Sequence, residues 1–261
     1  MVTVCLNAAD TISATIDSVH LQCDLVHEYI IIDGGSTDGT LDIVAGYEDR
    51  FAGTFSWVSE PDTGIYDAMN KGIARATGTF VLFLGADDIL LEGALAAMTD
   101  AMTASGEADL VFGDAHVVEP SGGRRLLRAT TKRGFVAGVP RAMPVCHQAC
   151  AFSARAYCGL GGFDTSFRIA GDYEFYLRFY EAGLQSRRIS MPVVEYSLGG
   201  VSSRLGVATA REYRRARVLH GVSPFRASLA MIRSLINLAL MRLIRRSSRF
   251  LSVRHAGPGR F

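Results

Sequence analysis

The chain is predicted to be an α/β protein with a mostly parallel central sheet, helices on both faces, and a separate basic helical tail. Three observations carry that prediction. Short, nearly continuous apolar runs alternate with segments whose apolar residues recur at helical spacing, as in strand–helix–strand units. Asn7, Asp33, Asp87 and Asp88 stand at the carboxyl ends of such runs, the edge where open parallel sheets collect ligands. The charge is also divided. Residues 1–200 carry 14 Lys+Arg against 25 Asp+Glu, whereas residues 201–261 carry 13 arginines and a single acid, Glu212. The net charge of +1 therefore conceals an acidic body, 1–200, and a basic tail, 201–261.

Taken in order, residues 2–6 form the first strand and end at Asn7. Asp10 caps a helix whose Ile12, Ile16 and Val19 face inward. The next strand, 28–33, is apolar almost throughout, as a strand buried on both faces must be. It runs into Asp33-Gly-Gly-Ser-Thr-Asp-Gly39, after which Leu41 and Val44 mark a short helix and 55–59 another strand. Glu60-Pro-Asp-Thr-Gly-Ile-Tyr-Asp-Ala-Met-Asn-Lys-Gly72 is a loop entering a helix. Met69 and Ile73 face inward there, while Asp67, Asn70 and Lys71, at i, i+3 and i+4, share another face. A strand at 79–84, a helix at 92–104 and a strand at 109–114 complete the first half.

Beyond residue 114 the pattern is less regular. Ser121-Gly-Gly123 turns between antiparallel strands at 115–119 and 125–130. Residues 131–150 form a loop carrying Lys132, Arg133, Arg141 and His147, and Gly159 to Asp164 is turn-like. A helix from Ile169 to Glu181 has Asp172 and Glu174 in its first turn and buries Phe175, Phe179 and Ala182. Strand-like pieces at 186–189 and 193–197 precede Gly199-Gly200.

Composition bounds the class. With 261 residues, 49% hydrophobic and 20% charged, the chain is globular and has room for one domain and an appendage. Its five cysteines are odd in number and include no C-x-x-C pair, which suits reduced thiols in the cytosol rather than a disulfide framework. Cys146, His147 and Cys150 have the look of half a zinc site, but no second cluster completes it. The start lacks a basic n-region followed by an apolar stretch, so no signal peptide is expected. No apolar run reaches the roughly 18 residues of a spanning helix. Residues 7–12 contain no glycine, which disfavours a dinucleotide-binding fingerprint, and the G-x-x-x-x-G-K-[ST] phosphate loop is absent.

The chemistry concentrates in Thr79-Phe-Val-Leu-Phe-Leu-Gly-Ala-Asp-Asp88. Ionised carboxylates at the end of a buried strand resist burial unless paired. A hard divalent cation, Mg²⁺ or Mn²⁺, suits two such acids. The alternative is a solvated turn whose acids cap the next helix.

Asn7, Ile-Ile-Asp33-Gly-Gly-Ser-Thr-Asp-Gly-Thr40, Glu60-Pro-Asp-x-Gly-Ile-Tyr-Asp-Ala-Met-Asn-Lys-Gly72, Ala76-Thr-Gly78, Phe83-Leu-Gly-Ala-Asp-Asp88, Cys-His-Gln148 and Gly171-Asp-Tyr173 follow one another in this order. Together they resemble the family 2 inverting glycosyltransferases of the GT-A (Rossmann-like) fold, particularly those that build bacterial surface polysaccharides and glycolipids. The resemblance covers about residues 2–200. It implies transfer of a hexose from a nucleotide-diphosphate sugar to a hydroxyl of a lipid-linked or polysaccharide acceptor, with Mg²⁺ or Mn²⁺ as cofactor. Residues 1–114 would bind the nucleotide sugar and 115–200 would complete the acceptor side.

The resemblance also implies residue roles. Asp33 contacts the nucleotide base, and Asn7, Asp67, Asn70 and Lys71 line the donor site, although Lys71 equally suits a solvated helix face. Asp87 is the principal metal ligand and Asp88 supports it or caps the following helix. Asp172 is the base that takes the acceptor proton, with Glu174 as fallback. His147 touches the diphosphate or the acceptor, unless it is a structural histidine. Two departures stand out: Gly85 replaces the first acid of the family's D-x-D motif, and Gly171 replaces the glutamate of its E-D pair. They keep in view a catalytically inactive nucleotide-binding scaffold. A nucleotidyltransferase acting on sugar phosphates is the other alternative, disfavoured by the missing glycine-rich basic loop near the first strand.

In the tail, Leu229, Ile232, Leu235, Ile236, Leu240, Leu243 and Ile244 suit one face of a helix flanked by arginines. Such a helix fits the surface of an anionic bilayer, which would hold the protein peripherally at the inner face of the plasma membrane. Docking on the body is the alternative. Nucleic acid is not expected, because aromatic stacking residues are scarce in the tail.

Overall fold

The structure is a computed structural model that describes residues 1–104, 108–119, 121–129, 144–198 and 206–254, with 241–254 as backbone only. Lys132, Arg133, Arg141 and Gly199-Gly200 lie outside the described residues. The chain divides into two compact units, Met1–Ser203 and Arg204–Phe261.

The first unit begins with four parallel strands, β1 (Val2–Cys5), β2 (Tyr29–Asp33), β3 (Phe55–Ser59) and β4 (Phe80–Gly85), in the order β3-β2-β1-β4. Helices α1 (Ile12–His20), α2 (Thr40–Ala45) and α3 (Ile65–Arg75) make the crossovers. All five residues of β2 are buried, so its apolar run is satisfied on both faces. Asp10 does not cap α1. The helix starts at Ile12 without a side-chain cap, and the amides of Thr11 and Ile12 bond instead to the Ala8 carbonyl at 3.0 and 2.9 Å.

The sheet continues past β4 with β5 (Ile89–Leu90), β6 (Leu110–Val118), β7 (Arg124–Leu127), β8 (Cys150–Ser153) and β9 (Ser186–Ser197), and α4 (Ala94–Thr103) lies between β5 and β6 in the chain. The full order is β3-β2-β1-β4-β8-β6-β9-β5, with β7 on β6. This half departs from the sequence expectation. β8, expected to be irregular, enters antiparallel to both β4 and β6. The pieces at 109–114 and 115–119 are one strand, as are those at 186–189 and 193–197. Pro192 looks like a break, but it falls where the β6–β9 register shifts around Asp114, a bulge that spares a proline its missing ladder bond.

Helices Ala154–Leu160 and Gly171–Glu181 contribute a second core. The Phe152 ring sits 5.1 to 5.8 Å, centroid to centroid, from Tyr157, Phe175, Tyr176 and Phe179. Edge-to-face contacts dominate, the arrangement that aromatic quadrupoles favour.

The second unit pairs helix Val207–Leu219 with helix Pro224–Arg254. Arg214 Nε donates to Ser228 Oγ across the pair at 2.8 Å. The expected single apolar face divides: Leu235, Met231 and Leu238 are half-buried in a groove shared with helix Val207–Leu219, whereas Phe225, Leu229, Ile232, Ile236 and Leu240 stay exposed. The side chains of Leu243 and Ile244 lie outside the described residues. Among the described residues, no helix is long and apolar enough to cross a membrane.

Candidate functional site

The strand register sets the site. Cys5 lies opposite Asp33, Asp33 opposite Ser59, and Val4 opposite Gly85, so the carboxyl ends of β1 to β4 finish nearly level. Strand order reverses at β1, with β2 and β3 on one side and β4 on the other, and a crevice opens at such a switch point.

On one side of the crevice, the loop after β2 is stitched to the end of β1. Asn7 takes a left-handed backbone, φ 51°, which asparagine tolerates better than most residues. This lets its amide donate to Ser36 Oγ at 2.7 Å while its Oδ1 accepts from the Thr37 amide at 2.9 Å. The Ala8 amide bonds Thr40 Oγ1 and the Ala9 amide bonds Asp38. Asp33 lies fully buried beneath the loop. It accepts from the amides of Gly35 and Ser36, both at 2.9 Å, from Ser59 Oγ at 2.6 Å, and from the Ser36 hydroxyl and Cys5 thiol. Burial opposes ionisation, yet the hydroxyls of Ser36 and Ser59 and the two amides hold the carboxyl below its ordinary value. Asp33 is thus the anchor of this loop. Its partners Ser36, Ser59 and Cys5 were not singled out from sequence, although Cys5 and Ser59 end their strands and Ser36 lies in the loop after β2.

Helix α3 borders the same loops. Asp67 accepts from the Thr63 amide at 2.9 Å, which holds its carboxyl below the ordinary value. Lys71 Nζ donates to the Pro61 carbonyl at 2.8 Å and lies 3.5 Å from Glu60 and 3.7 Å from Asp67. Together they pin the Glu60–Gly64 turn to the helix. Asn70 turns elsewhere. Its amide donates to the Phe163 carbonyl at 2.8 Å and its Oδ1 accepts from the Phe163 amide at 2.7 Å, joining α3 to the loop before helix Gly171–Glu181.

The two acids after β4 separate in role. Asp88 is fully buried and accepts from the Ser197 amide at 3.0 Å and the Gly85 amide at 3.2 Å, so it ties the end of β4 to the end of β9. Burial pushes its carboxyl up to about 7, with the Asp87 charge adding and the two amides opposing. Asp87 is half-buried, and burial raises it too. Gly85 leaves room for this arrangement: a Cβ would lie 2.5 Å from Asp88 Oδ2 and 3.2 Å from Asp87 Oδ1, so a side chain there would displace the two carboxylates. Among the described residues, no three His, Cys, Asp or Glu side chains gather as a metal cluster. The donor set on offer is therefore Asp87, with Asp88 bracing the turn. One carboxylate fits Mg²⁺ or Mn²⁺ where phosphate oxygens and water complete the shell.

Asp172 opens helix Gly171–Glu181 and is half-buried. The Cys146 thiol is pushed up to about 12, first by burial and then by the charge of Asp88, with the Gln148 and Ala149 amides opposing and the charge of Asp172 adding least. Glu174, the fallback base, is buried and clamped by Arg178 through Nε at 2.9 Å and Nη2 at 2.8 Å. Arg178 also holds the carbonyls of Leu160 and Gly162, so this acid serves the fold. His147 is buried among Phe83, Phe152 and Phe163, with ring centroids 5.6 to 6.3 Å away. Neither ring nitrogen has a hydrogen-bond partner, and burial lowers its pKa to about 4. Contact with a diphosphate or acceptor would require the ring to leave this pocket. Cys150 Sγ donates to the Cys146 carbonyl and Cys146 Sγ to Gln148, and all five cysteines are unpaired.

Comparison with known proteins locates this arrangement. Residues 1–157 match the family described as glycosyl transferase family 2. The PGL/p-HBAD biosynthesis glycosyltransferase of Mycobacterium tuberculosis is 33% identical over 207 residues, 77% of this chain and 77% of that one. S. aureus TarS 1–349, solved in complex with UDP-GlcNAc, superposes with a TM-score of 0.67 at 16% identity, covering 88% of this chain and 69% of that one. The mannosyltransferase PcManGT of Pyrobaculum calidifontis, in complex with GDP-Man and Mn²⁺, gives 0.63 at 19% identity, covering 99% and 75%. The shared fold is GT-A.

Proposed function

Because the chain belongs to glycosyl transferase family 2, we propose that it is an inverting, divalent-metal-dependent glycosyltransferase. It moves a hexose from a nucleotide-diphosphate sugar to a hydroxyl of a lipid-linked or polysaccharide acceptor. The observation that carries this reading is the level register of β1 to β4, which sets the Asp33 loop and the Asp87 turn on either side of the crevice. Relatives of similar sequence are, by name, a PGL/p-HBAD biosynthesis glycosyltransferase and a putative teichuronic acid biosynthesis glycosyltransferase, and TarS and PcManGT were solved with UDP-GlcNAc and GDP-Man.

In this reading the Asn7, Asp33 and Asp67 loops receive the nucleoside, and Lys71 keeps the Glu60–Gly64 turn in place. Asp87 would hold Mg²⁺ or Mn²⁺, which when bound neutralises charge on the diphosphate. Asp172 takes the proton of the acceptor hydroxyl. The oxygen then bonds to the anomeric carbon as the carbon–oxygen bond to the diphosphate breaks, and the electron pair leaves with the nucleoside diphosphate. Single displacement inverts the anomeric centre.

The tail suits the inner face of an anionic membrane. Its support is the outward stripe of Phe225, Leu229, Ile232, Ile236 and Leu240 in a segment with 13 arginines and one acid, a pairing of apolar surface and positive charge that binds bilayers peripherally.

Release of nucleoside diphosphate from a panel of UDP-, GDP- and dTDP-sugars, with Mg²⁺ and with Mn²⁺, tests the activity. Asp87→Ala should abolish calorimetric binding of the cognate nucleoside diphosphate in Mn²⁺. Unchanged titrations would remove Asp87 from the metal site.

A further inference from the structure

We propose that Tyr66 positions the Asp172 carboxylate, and that Gly171 stands beside it because the Tyr66 ring occupies the volume of a side chain there. This rests on the reading of Asp172 as the base.

Tyr66 is the second residue of α3 and is 5% exposed. Its ring packs against Phe163 at 5.5 Å. A Cβ on Gly171 would lie 2.8 to 3.0 Å from three carbons of that ring, closer than packed carbon atoms approach. The glycine is thus set by a residue 105 positions earlier in the chain. The Tyr66 hydroxyl donates to the Ile169 carbonyl at 2.8 Å and lies 3.3 Å from Asp172 Oδ1. The Tyr173 amide donates to the same Oδ1 at 2.8 Å. The hydroxyl has one proton, held mainly by the Ile169 carbonyl and shared with Oδ1, so this longer contact and the Tyr173 amide together restrain rotation of the carboxylate about Cβ–Cγ, and hence the direction in which Oδ2 faces.

The exchange has a chemical logic. A second carboxylate beside a base repels its ionised form, whereas a hydroxyl donor favours it. A phenol in that space orients the base without adding charge. It also links the base to α3, which begins at the Glu60–Gly64 turn, so donor loop and base share one rigid element.

The test compares Tyr66→Phe, Asp172→Asn and the double variant, each in Mn²⁺, by UDP release from UDP-GlcNAc and GDP release from GDP-mannose. Phenylalanine keeps the ring against Gly171 and removes only the hydroxyl. Tyr66→Phe should lower kcat about tenfold, the order expected for one hydrogen bond to a charged group, with KM for the nucleotide sugar unchanged and the melting temperature lowered by the lost bond to the Ile169 carbonyl. Added to Asp172→Asn it should cost nothing further, because it acts through that carboxylate. A crystal structure of Tyr66→Phe should show the Asp172 carboxylate turned off the Tyr173 amide. Wild-type kcat in Tyr66→Phe while Asp172→Asn is inactive, or an unmoved carboxylate in the crystal, overturns the positioning role. Full turnover in Asp172→Asn overturns the base reading instead.

Discussion

Replacing His147 with leucine removes a titrating group from an aromatic pocket while keeping the site apolar and similar in volume. In the native protein burial holds this imidazole at about 4, against an ordinary 6.5. In the unfolded chain it returns to its ordinary value. Between those limits the unfolded state binds a proton that the native state refuses, so stability falls as pH falls. The contribution is complete above about pH 6.5 and lost by about pH 4. At about 1.4 kcal/mol per pKa unit, the loss amounts to roughly 3 kcal/mol. Urea unfolding followed by the fluorescence of the single tryptophan, Trp57, at half-unit steps from about pH 7.5 to about pH 4, measures it. The leucine variant should differ from wild type by an amount that changes by about 3 kcal/mol across this window. Wild-type and variant curves that run parallel would mean the native imidazole protonates as readily as the unfolded one, and the burial argument would fail.

Other perturbations have equally definite outcomes. Gly85→Asp restores the acid that the family pattern places there, but its Cβ would crowd Asp88 Oδ2. It should destabilise by about 1–3 kcal/mol in thermal melts and bring no gain in Mn²⁺ affinity with UDP. Phe152→Ala opens a cavity among four aromatic rings and should cost about 3–5 kcal/mol in urea unfolding. Removing the chain from Pro224 onward should abolish co-sedimentation with vesicles containing phosphatidylserine, while binding of a nucleoside diphosphate persists. Sedimentation of the truncated protein with those vesicles would reject the tail as the anchor.

The parallel half of the fold was legible because its signals are local. β2 and β3 are apolar runs bounded by glycine or proline, and their observed limits fall within a residue of those read from the chain, while α3 was legible as a helix from its period, without limits. The second half was not. β8 is four residues whose strand character comes from being inserted between β4 and β6, and nothing in Cys-Ala-Phe-Ser announces that. Pro192 concealed the continuity of β9, because a bulge is a property of two strands and the sequence displays one at a time. The same distinction governs the site. Asp33, Asp87, Asp88 and Asp172 were visible as acids at strand and helix ends. Their partners were not, since Ser59 and Tyr66 reach Asp33 and Asp172 across 26 and 106 residues. His147 was ambiguous because Phe83, Phe152 and Phe163, which the fold brings around it from three different elements or loops, decide its surroundings.

The burial of Asp88 has a consequence for how the protein responds to acid. Its carboxyl titrates near 7 when folded and near 3.8 when free, so over that interval folding takes up a proton and stability rises as pH falls. His147 does the opposite over almost the same interval, releasing a proton on folding and losing stability as pH falls. Buried within one fold, an acid and a base thus act as opposed weights, each offsetting the other's contribution to the response to mild acidification. Substituting either residue should uncover the slope of the other, with opposite signs in the two variants.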